Sequence, residues 1–253
     1  MDLVLWHIEL SHYSEKARWA LDFKRLPYEL RTPMPGLHGL SAAWLTRGAQ
    51  RRLPVMRLDG RNIGDSTAII AALERHRPDP PLYPSDPDER ARALGLEEHF
   101  DEALGPALRC FTWHHTLPDH DATVAALFTR PSPVRERLLR ASAPVASTLV
   151  RRDYGIDDAT AALARKQVVE AMDTVEAELG PSGHLAGDAF SVADLTAAAL
   201  FTPLLAPPGR PYAPSRLAAP VLELREELSA RPGGEWVAET YARHRGTRAP
   251  APA

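Results

Sequence analysis

The fold of this chain is decided by residues 53–70, LPVMRLDGRNIGDSTAII. The pattern predicts a strand, a tight turn, a second strand and then a helix that begins at Asp65 and Ser66. Proline is tolerated in a strand pattern at an edge or in a special turn, so we expect a cis peptide bond before Pro54. The free N–H groups of the helix start can hold an anion. A cis-proline loop beside such a helix start is suited to gripping a short peptide by its backbone and its carboxylate.

The residues on either side extend this stretch into a small mixed sheet flanked by helices. Apolar periodicity predicts strands over 2–8, 28–31, 54–58 and 61–63, and helices over 11–24, 40–47 and 67–75. The order β-α-β-α-β-β-α is typical of a small α/β domain, which we assign to residues 1–77.

The rest of the chain is predicted to be helical. Prolines and aspartates cluster over 78–87, which predicts a stiff linker between two domains. The clearest helical patterns cover 88–117, 157–179, 191–206 and 217–230. The stretch 120–155 is also helical in pattern, but Pro131, Pro133 and Pro144 are expected to break it. We therefore predict an all-helical domain over 88–245 and a disordered tail over 246–253.

Composition excludes several classes of partner. The chain has 253 residues and a net charge of −3 without a basic block, which argues against nucleic acid. No apolar run approaches the roughly 20 residues that span a bilayer, and the N-terminus lacks the features of a signal peptide, so we expect no membrane association. The single cysteine, Cys110, excludes an internal disulfide and favours a reducing cytoplasm.

The best candidate for chemistry is the junction of the first strand and first helix, residues 9–16, ELSHYSEK. A hydroxyl at the positive end of a helix can donate a hydrogen bond to the thiolate of a bound cofactor. The thiolate is the nucleophilic form, so stabilising it matters at neutral pH. Ser11 or Ser14 could take this role; in the alternative, both serines only cap the helix.

The helix start at Asp65 and Ser66 has a similar alternative, since the pair could be a simple N-cap. Beside Pro54, however, Ser66 and the following amides could hold the α-carboxylate of a peptide, and Asp65 could accept from its α-amino group. Val55 could pair with the peptide backbone, as an added strand does. Arg52 and His38 could meet a second carboxylate, although Arg52 could equally be a solvated surface charge.

Two later motifs have structural interpretations. Ser191 and Asp194 form a capping box that starts a buried helix, and we interpret it as structural rather than catalytic. The spacing of His114, His115 and His120 does not suit a metal, so we expect none. Trp113, with Phe111 and His114, either lines an apolar pocket or belongs to the core.

Taken together, the chain resembles a cytosolic glutathione S-transferase. The resemblance covers nearly the whole chain and is carried by the helix start at 11–21, the cis-proline loop at 53–55, the pair at 65–66 and the box at 190–194. It implies a thioredoxin-like N-terminal domain, an all-helical C-terminal domain, bound glutathione and a homodimer.

The resemblance also assigns roles to individual residues. Ser11 matches the serine-or-cysteine position of the zeta-like and omega-like branches, and Tyr13 is a rival contact to the sulfur. For glutathione it implies backbone pairing by Leu53, contacts to the γ-glutamyl group by Asp65 and Ser66, a glycyl contact by Arg52 and a looser match at His38. A pocket for the second substrate is expected at His12, Tyr13, Phe111, Trp113 and His114.

The implied function is a glutathione transferase that activates the thiolate for attack on an electrophilic small molecule. The alternatives are a glutathione-dependent isomerase, a dehalogenase, an ether-cleaving enzyme, a non-catalytic binding protein, or a protein that uses another low-molecular-weight thiol. Two departures from the family pattern bear on this choice. Gly48, Ala49 and Gln50 replace the usual Asn-Pro, and the region 104–155, which shapes the second-substrate pocket, is unusually long and rich in proline.

Overall fold

The computed structural model describes residues 3–34, 37–127, 133–208 and 217–246. Its N-terminal part confirms the predicted order, with element ends moved by at most two residues. The elements are β1 (Leu3–Trp6), α1 (His12–Phe23), β2 (Glu29–Arg31), α2 (His38–Leu45), β3 (Val55–Leu58), β4 (Arg61–Gly64) and α3 (Ser66–His76). The sheet order is β2-β1-β3-β4, with β1 parallel to β2 and the other pairs antiparallel. The peptide bond between Leu53 and Pro54 is cis, as predicted.

The sheet is covered on both faces because successive side chains of a strand point to opposite sides. Leu5 of β1 and Met56 of β3 pack with α1 and α3 in the main core. Trp6 and Val55 pack with α2 in a second, smaller cluster. These two clusters, one on each face of the sheet, fix β1 beside β3. The loop after β1 therefore lies next to the loop before β3.

The C-terminal part is helical, as predicted. Its helices are α4 (Pro87–His99), α5 (Gly105–Thr116), α6 (His120–Leu127), α7 (Pro133–Tyr154), α8 (Asp158–Glu178), α9 (Val192–Leu205), α10 (Ala219–Ser229) and α11 (Pro232–His244). The helical segment predicted over 88–117 contains a π-helical turn at Phe100–Leu104, which separates α4 from α5. Such turns often occur at functional sites. The chain therefore has an α/β thioredoxin-like part followed by an all-α part, and α9 packs directly on α1.

The expectation that Pro144 breaks its helix is wrong, because α7 continues through it. A proline removes one backbone hydrogen bond, but tertiary contacts can compensate for that loss. Here Ala143 and Ser147 are buried on either side, and the Ser147 hydroxyl donates to the Leu117 carbonyl. Pro133, in contrast, stands at the first position of α7, where proline is well accommodated.

Some predictions lie outside the described residues, namely Pro131 and, apart from Gly246, the tail at 246–253. The domain boundaries at 77 and 88 stay predictions. Within the described part of the chain, no helix combines the length and the apolar character that crossing a membrane requires.

Candidate functional site

A cleft of about 1650 Å³ between the two parts brings most of the predicted site residues together. Its N-terminal wall comes from the loop after β1, the loop before β3 and the start of α3, and its opposite wall from α5 and α7. The predicted residues that line it are Ser11, His12, Tyr13, His38, Arg52, Leu53, Asp65, Ser66 and Trp113.

Ser11 is the residue of the first turn of α1 whose hydroxyl remains able to donate to a ligand. It is half-buried and caps the helix, with its Oγ accepting from the Ser14 amide at 3.3 Å. Accepting this bond leaves the hydroxyl proton of Ser11 available. Ser14 is fully buried instead, and its Oγ accepts from the Ile8 amide at 3.2 Å. The geometry therefore gives Ser14 a structural position and leaves Ser11 facing the cleft.

Tyr13 faces the other half of the molecule. Its hydroxyl donates to the Asp101 carbonyl at 2.7 Å, so its proton already has an acceptor in the π-helical turn. Burial raises the pKa of the Tyr13 phenol well above its usual value, and the nearby Arg109 opposes this only in part. The His12 ring lies 4.5 Å from the Tyr13 ring.

The two carboxylate oxygens of Asp65, at the start of α3, differ in their hydrogen bonds. Asp65 has a φ of +74°, which is rare for a residue with a side chain, and its Oδ1 accepts from the amides of Thr67 at 2.9 Å and Ala68 at 3.2 Å. Those two amides therefore have an acceptor already, and of the predicted anion site only Ser66 remains as a candidate. Among the described residues, no hydrogen-bond donor meets Asp65 Oδ2.

A buried ion cluster supports this end of the cleft from behind. The Lys16 ammonium on α1 is fully buried and lies 2.8 Å from Glu97 Oε1 and 2.5 Å from Asp101 Oδ2. It also donates to Thr67 Oγ1 at 2.9 Å, and Thr67 in turn donates to Asp101 at 2.6 Å. The cluster joins α1, α3, α4 and the π-helical turn, and so fixes Asp101 beside the start of α3.

The loop before β3 meets the end of α7 across the cleft. The Arg52 guanidinium lies 5.4 Å from the centroid of the Tyr154 ring and is otherwise exposed. Burial lowers the pKa of His38, and the Asp153 charge opposes this shift. His38 is therefore mostly neutral at neutral pH, so it can offer an N–H group but little charge to a carboxylate.

The main chain at the start of β3 contradicts one prediction from the sequence, that Val55 pairs with a peptide ligand. Val55 is paired in register with Trp6 on one side and Gly64 on the other. Because β3 is a central strand, the expectation that Val55 pairs with a peptide ligand is wrong. Leu53, which precedes the strand, lies outside the ladder and lines the cleft.

The α5 wall is formed by a face that the sequence identified only in part. Arg109, Thr112, Trp113 and Thr116 line the cleft. The structure does not place Phe111 and His114 there. Phe111 is buried in the main core, and His114 Nε2 lies 3.6 Å from Asp158 Oδ1. Helical spacing explains the difference, since residues i, i+3, i+4 and i+7 share a face and Phe111 belongs to the opposite one.

Sequence reasoning missed Asp101, Arg109 and Tyr154. For Arg109 a signal was available, since it stands four residues before Trp113 on the same helix face. Asp101 and Tyr154 reach the cleft only because two distant segments pack together, and local patterns carry no signal of that. Within the described ranges, no group of three or more histidine, cysteine and acidic side chains is arranged to hold a metal ion.

The site can be compared with known proteins. Residues 5–81 match the family model for the glutathione S-transferase N-terminal domain, and residues 134–229 match the model for the C-terminal domain. Maleylacetoacetate isomerase from Rattus norvegicus is 36% identical over 107 residues, which cover 41% of this chain and 49% of that protein. The corresponding enzyme from Dictyostelium discoideum is 32% identical over 106 residues, 41% of this chain and 48% of that protein. The matched stretch thus spans about half the length of these relatives.

Solved structures show the same fold over nearly the whole chain. A glutathione S-transferase from Methylobacterium radiotolerans, in complex with glutathione sulfonate, aligns with a TM-score of 0.55 and 22% identity, covering 100% of this chain and 97% of its own. The beta-etherase LigF from Sphingobium sp. aligns with a TM-score of 0.59 and 20% identity, covering 96% of this chain and 100% of its own.

Proposed function

Because the chain belongs to the glutathione S-transferase family, we propose that it binds glutathione in the cleft and activates its thiol for attack on an electrophilic small molecule. The single observation that carries the proposal is the position of Ser11, whose hydroxyl keeps its proton available on the same cleft wall that holds Asp65 and Ser66. A bound thiolate that accepts this proton as a hydrogen bond is stabilised relative to the thiol.

The remaining residues of the cleft fit the other groups of the tripeptide. Asp65 Oδ2 is open to the α-ammonium of the γ-glutamyl residue, and the adjacent Asp101 carboxylate adds negative charge beside it. The Ser66 hydroxyl suits the α-carboxylate at the start of α3. The Leu53 main chain is outside the sheet and suits the cysteinyl backbone. The Arg52 guanidinium, with His38 nearby, suits the glycyl carboxylate.

The proposal is tested by Ser11→Ala. We expect kcat for conjugation at neutral pH to fall by about 10- to 100-fold, because a hydrogen bond to a charged sulfur is lost. The Kd for glutathione, measured by calorimetry, should change by less than about threefold, since the tripeptide contacts remain. Loss of the cap should also lower the free energy of unfolding by about 1 kcal/mol.

Ser14→Ala is the matched control, because it removes a hydroxyl from the same turn. That hydroxyl serves the Ile8 amide, so the variant should lose stability while its kcat stays near that of the wild type. Equal losses of kcat and of glutathione affinity in Ser11→Ala would mean that Ser11 only positions the ligand. Absence of any heat on titration with millimolar glutathione would refute the proposal as a whole.

A glutathione-dependent isomerase is the second candidate, and the relatives named maleylacetoacetate isomerase favour it. An isomerase returns glutathione unchanged, whereas a transferase consumes it in the product. Incubation with maleylacetoacetate and a limiting amount of glutathione separates the two, because only isomerisation continues beyond one equivalent. Ether cleavage, dehalogenation and binding without catalysis are distinguished by the product found on a panel of such substrates.

The family resemblance also supports a homodimer in the cytoplasm. Sedimentation equilibrium of the purified chain tests the first part, and a monomer at micromolar concentration would contradict it. Fractionation of cells that produce the full chain tests the second.

A further inference from the structure

The Arg109 guanidinium is a half-buried cation on the α5 wall of the cleft. It lies 4.5 Å from the centroid of the Tyr154 ring and 6.0 Å from that of the Tyr13 ring. Within the part of the chain that the structure describes, no carboxylate lies within ion-pair distance of Arg109, and no acceptor meets its N–H groups. Lys16, also positively charged and close to the cleft, is by contrast fully paired by Glu97 and Asp101.

An arginine in this situation suits a planar anion. Stacking on aromatic rings occupies the faces of the guanidinium but leaves the N–H donors along its edge. Partly burying a charge without a partner is unfavourable, and a carboxylate is the partner whose two oxygens match the edge of the guanidinium. At Arg109 a ligand carboxylate would therefore find both an opposite charge and N–H donors whose geometry matches its two oxygens.

The surroundings of Arg109 define the rest of such a ligand. Pro106, Trp113 and Val150 line the same cleft and offer apolar surface. Asp101 and Glu102 lie near Tyr13, where they raise the pKa of its phenol and would repel an anion. The carboxylate is therefore expected at the N–H edge of Arg109, away from Asp101 and Glu102 and from Asp153, which also lines the cleft, with an apolar body along α5.

We propose that Arg109 makes this site selective for electrophiles that carry a carboxylate on an apolar body. The inference rests on the proposed function, and assigns Arg109 to the electrophile rather than to glutathione. Arg52, on the opposite side of the cleft, also contacts the Tyr154 ring and is the cation proposed for the glycyl carboxylate. In this proposal glutathione and the electrophile are bound by different arginines, Arg52 and Arg109.

The test compares two electrophiles of the same shape, a chlorodinitrobenzoate with chlorine para to the carboxylate and the corresponding chlorodinitrobenzamide. In both, the glutathione thiolate forms a C–S bond, the C–Cl bond breaks and chloride leaves. In Arg109→Gln we expect kcat/KM for the benzoate to fall by about 10- to 100-fold and that for the benzamide to change by less than about threefold. The KM for glutathione should be unchanged. Arg109→Lys, which retains the charge, should recover part of the loss.

Arg152→Gln is the matched control, because Arg152 is an exposed arginine that lines the same cleft. It should affect the two electrophiles equally. Equal losses on both electrophiles in Arg109→Gln, a raised KM for glutathione, or no change would each overturn the proposal.

Failure of the proposed function gives a different result. In that case the wild type neither binds glutathione nor turns over either electrophile, and the role of Arg109 is read from binding alone. Calorimetric titration with the unreactive dinitrobenzoate and dinitrobenzamide then shows whether the wild type prefers the anion. A preference that Arg109→Gln abolishes supports the anion site, and the absence of a preference refutes it.

Discussion

Tyr13 and Ser11 stand two residues apart, yet only one of them is free to act on a thiol. The Tyr13 hydroxyl donates its proton to the Asp101 carbonyl, and burial keeps the phenol protonated at neutral pH. We therefore expect Tyr13→Phe to leave kcat within about twofold of the wild type, because the ring remains in place. The free energy of unfolding should fall by about 1 kcal/mol through loss of the hydrogen bond.

Two measurements check the Tyr13 prediction. Ultraviolet absorbance of the bound thiolate should titrate with pH as in the wild type, and urea denaturation gives the change in stability. A loss of kcat as large as that in Ser11→Ala would contradict the assignment and restore Tyr13 as the group that contacts the sulfur.

Individual site residues could be predicted from the sequence where local structure fixes them. Ser11 and Asp65 are N-caps, and a cap is determined by the few residues around it. The location of Phe111 depended on helical phase, and its spacing from Leu104 and Leu108 already predicts the core. The Arg52–Tyr154 contact depends on how distant segments pack, so no local pattern could reveal it.

At the scale of elements, the capping box of α9 holds the start of a helix that is buried except at Pro203 and Leu205. Asp194 is 0% exposed; its Oδ1 accepts from the Leu185 amide at 2.9 Å, and its Oδ2 accepts from the amide and hydroxyl of Ser191 at 2.8 and 2.9 Å. This confirms the structural interpretation of the motif. We expect Asp194→Ala to lower the free energy of unfolding by about 3 kcal/mol, because three donors lose their acceptor.

Asp157 provides the comparison for this prediction, since it forms a similar capping box at the exposed start of α8. Urea denaturation of Asp157→Ala should show a clearly smaller loss, because water replaces the cap. Both variants should retain the wild-type kcat while folded. Similar losses of stability in the two variants would show that burial of the Asp194 box contributes nothing.

The π-helical turn within 88–117 is a feature that the sequence pattern could not predict. The apolar period runs on through the π-helical turn, with Leu96, Phe100, Leu104 and Leu108 all buried, so the sequence looks like one continuous helix. The turn is nevertheless the segment whose Asp101 carbonyl meets Tyr13. A single extra residue in a turn changes the direction of one carbonyl without disturbing the apolar pattern.

In the molecule as a whole, the two parts share one continuous core rather than meeting at a polar boundary. Trp19 of α1 packs with Tyr241 of α11, at 4.5 Å between ring centroids, and its indole N–H donates to the His244 carbonyl at 3.1 Å. The linker composition predicted two domains, but it carries no information on how firmly they are joined. The two parts that form the cleft walls are therefore joined by contacts between distant segments, such as this hydrogen bond between residues 225 apart in the chain.

Arg245, just after α11, joins the end of that helix to α1. Its side chain is 7% exposed, and the guanidinium lies 2.8 Å from Glu15 Oε1 and 2.7 Å from Asp22 Oδ2. Burial alone would raise the pKa of Glu15, but the Arg18 and Arg245 charges outweigh it and hold that pKa well below its usual range. Burial raises the pKa of Asp22 despite the Arg245 charge. The cost of burying the Asp22 carboxylate therefore offsets part of the stabilisation that Glu15 provides. We expect Arg245→Gln to lower the free energy of unfolding by about 3 to 5 kcal/mol at neutral pH, because Glu15 stays buried without one of its partners.

The pH dependence of this loss follows from the direction of the Glu15 shift. A carboxyl whose pKa is lower in the folded state stabilises the fold above its unfolded value of about 4.3, and this stabilisation disappears as the pH falls through the folded value. The stability gap between the wild type and Arg245→Gln, measured by urea denaturation, should therefore be widest near about pH 7 and should narrow below about pH 4.

Arg243→Gln is the matched control. The Arg243 side chain is 61% exposed and lies 3.9 Å from Glu239, so this exposed ion pair is weak and its loss should change stability little at any pH. A gap no larger than that of the control, or one that does not narrow in acid, would show that Arg245 does not join the two parts through Glu15.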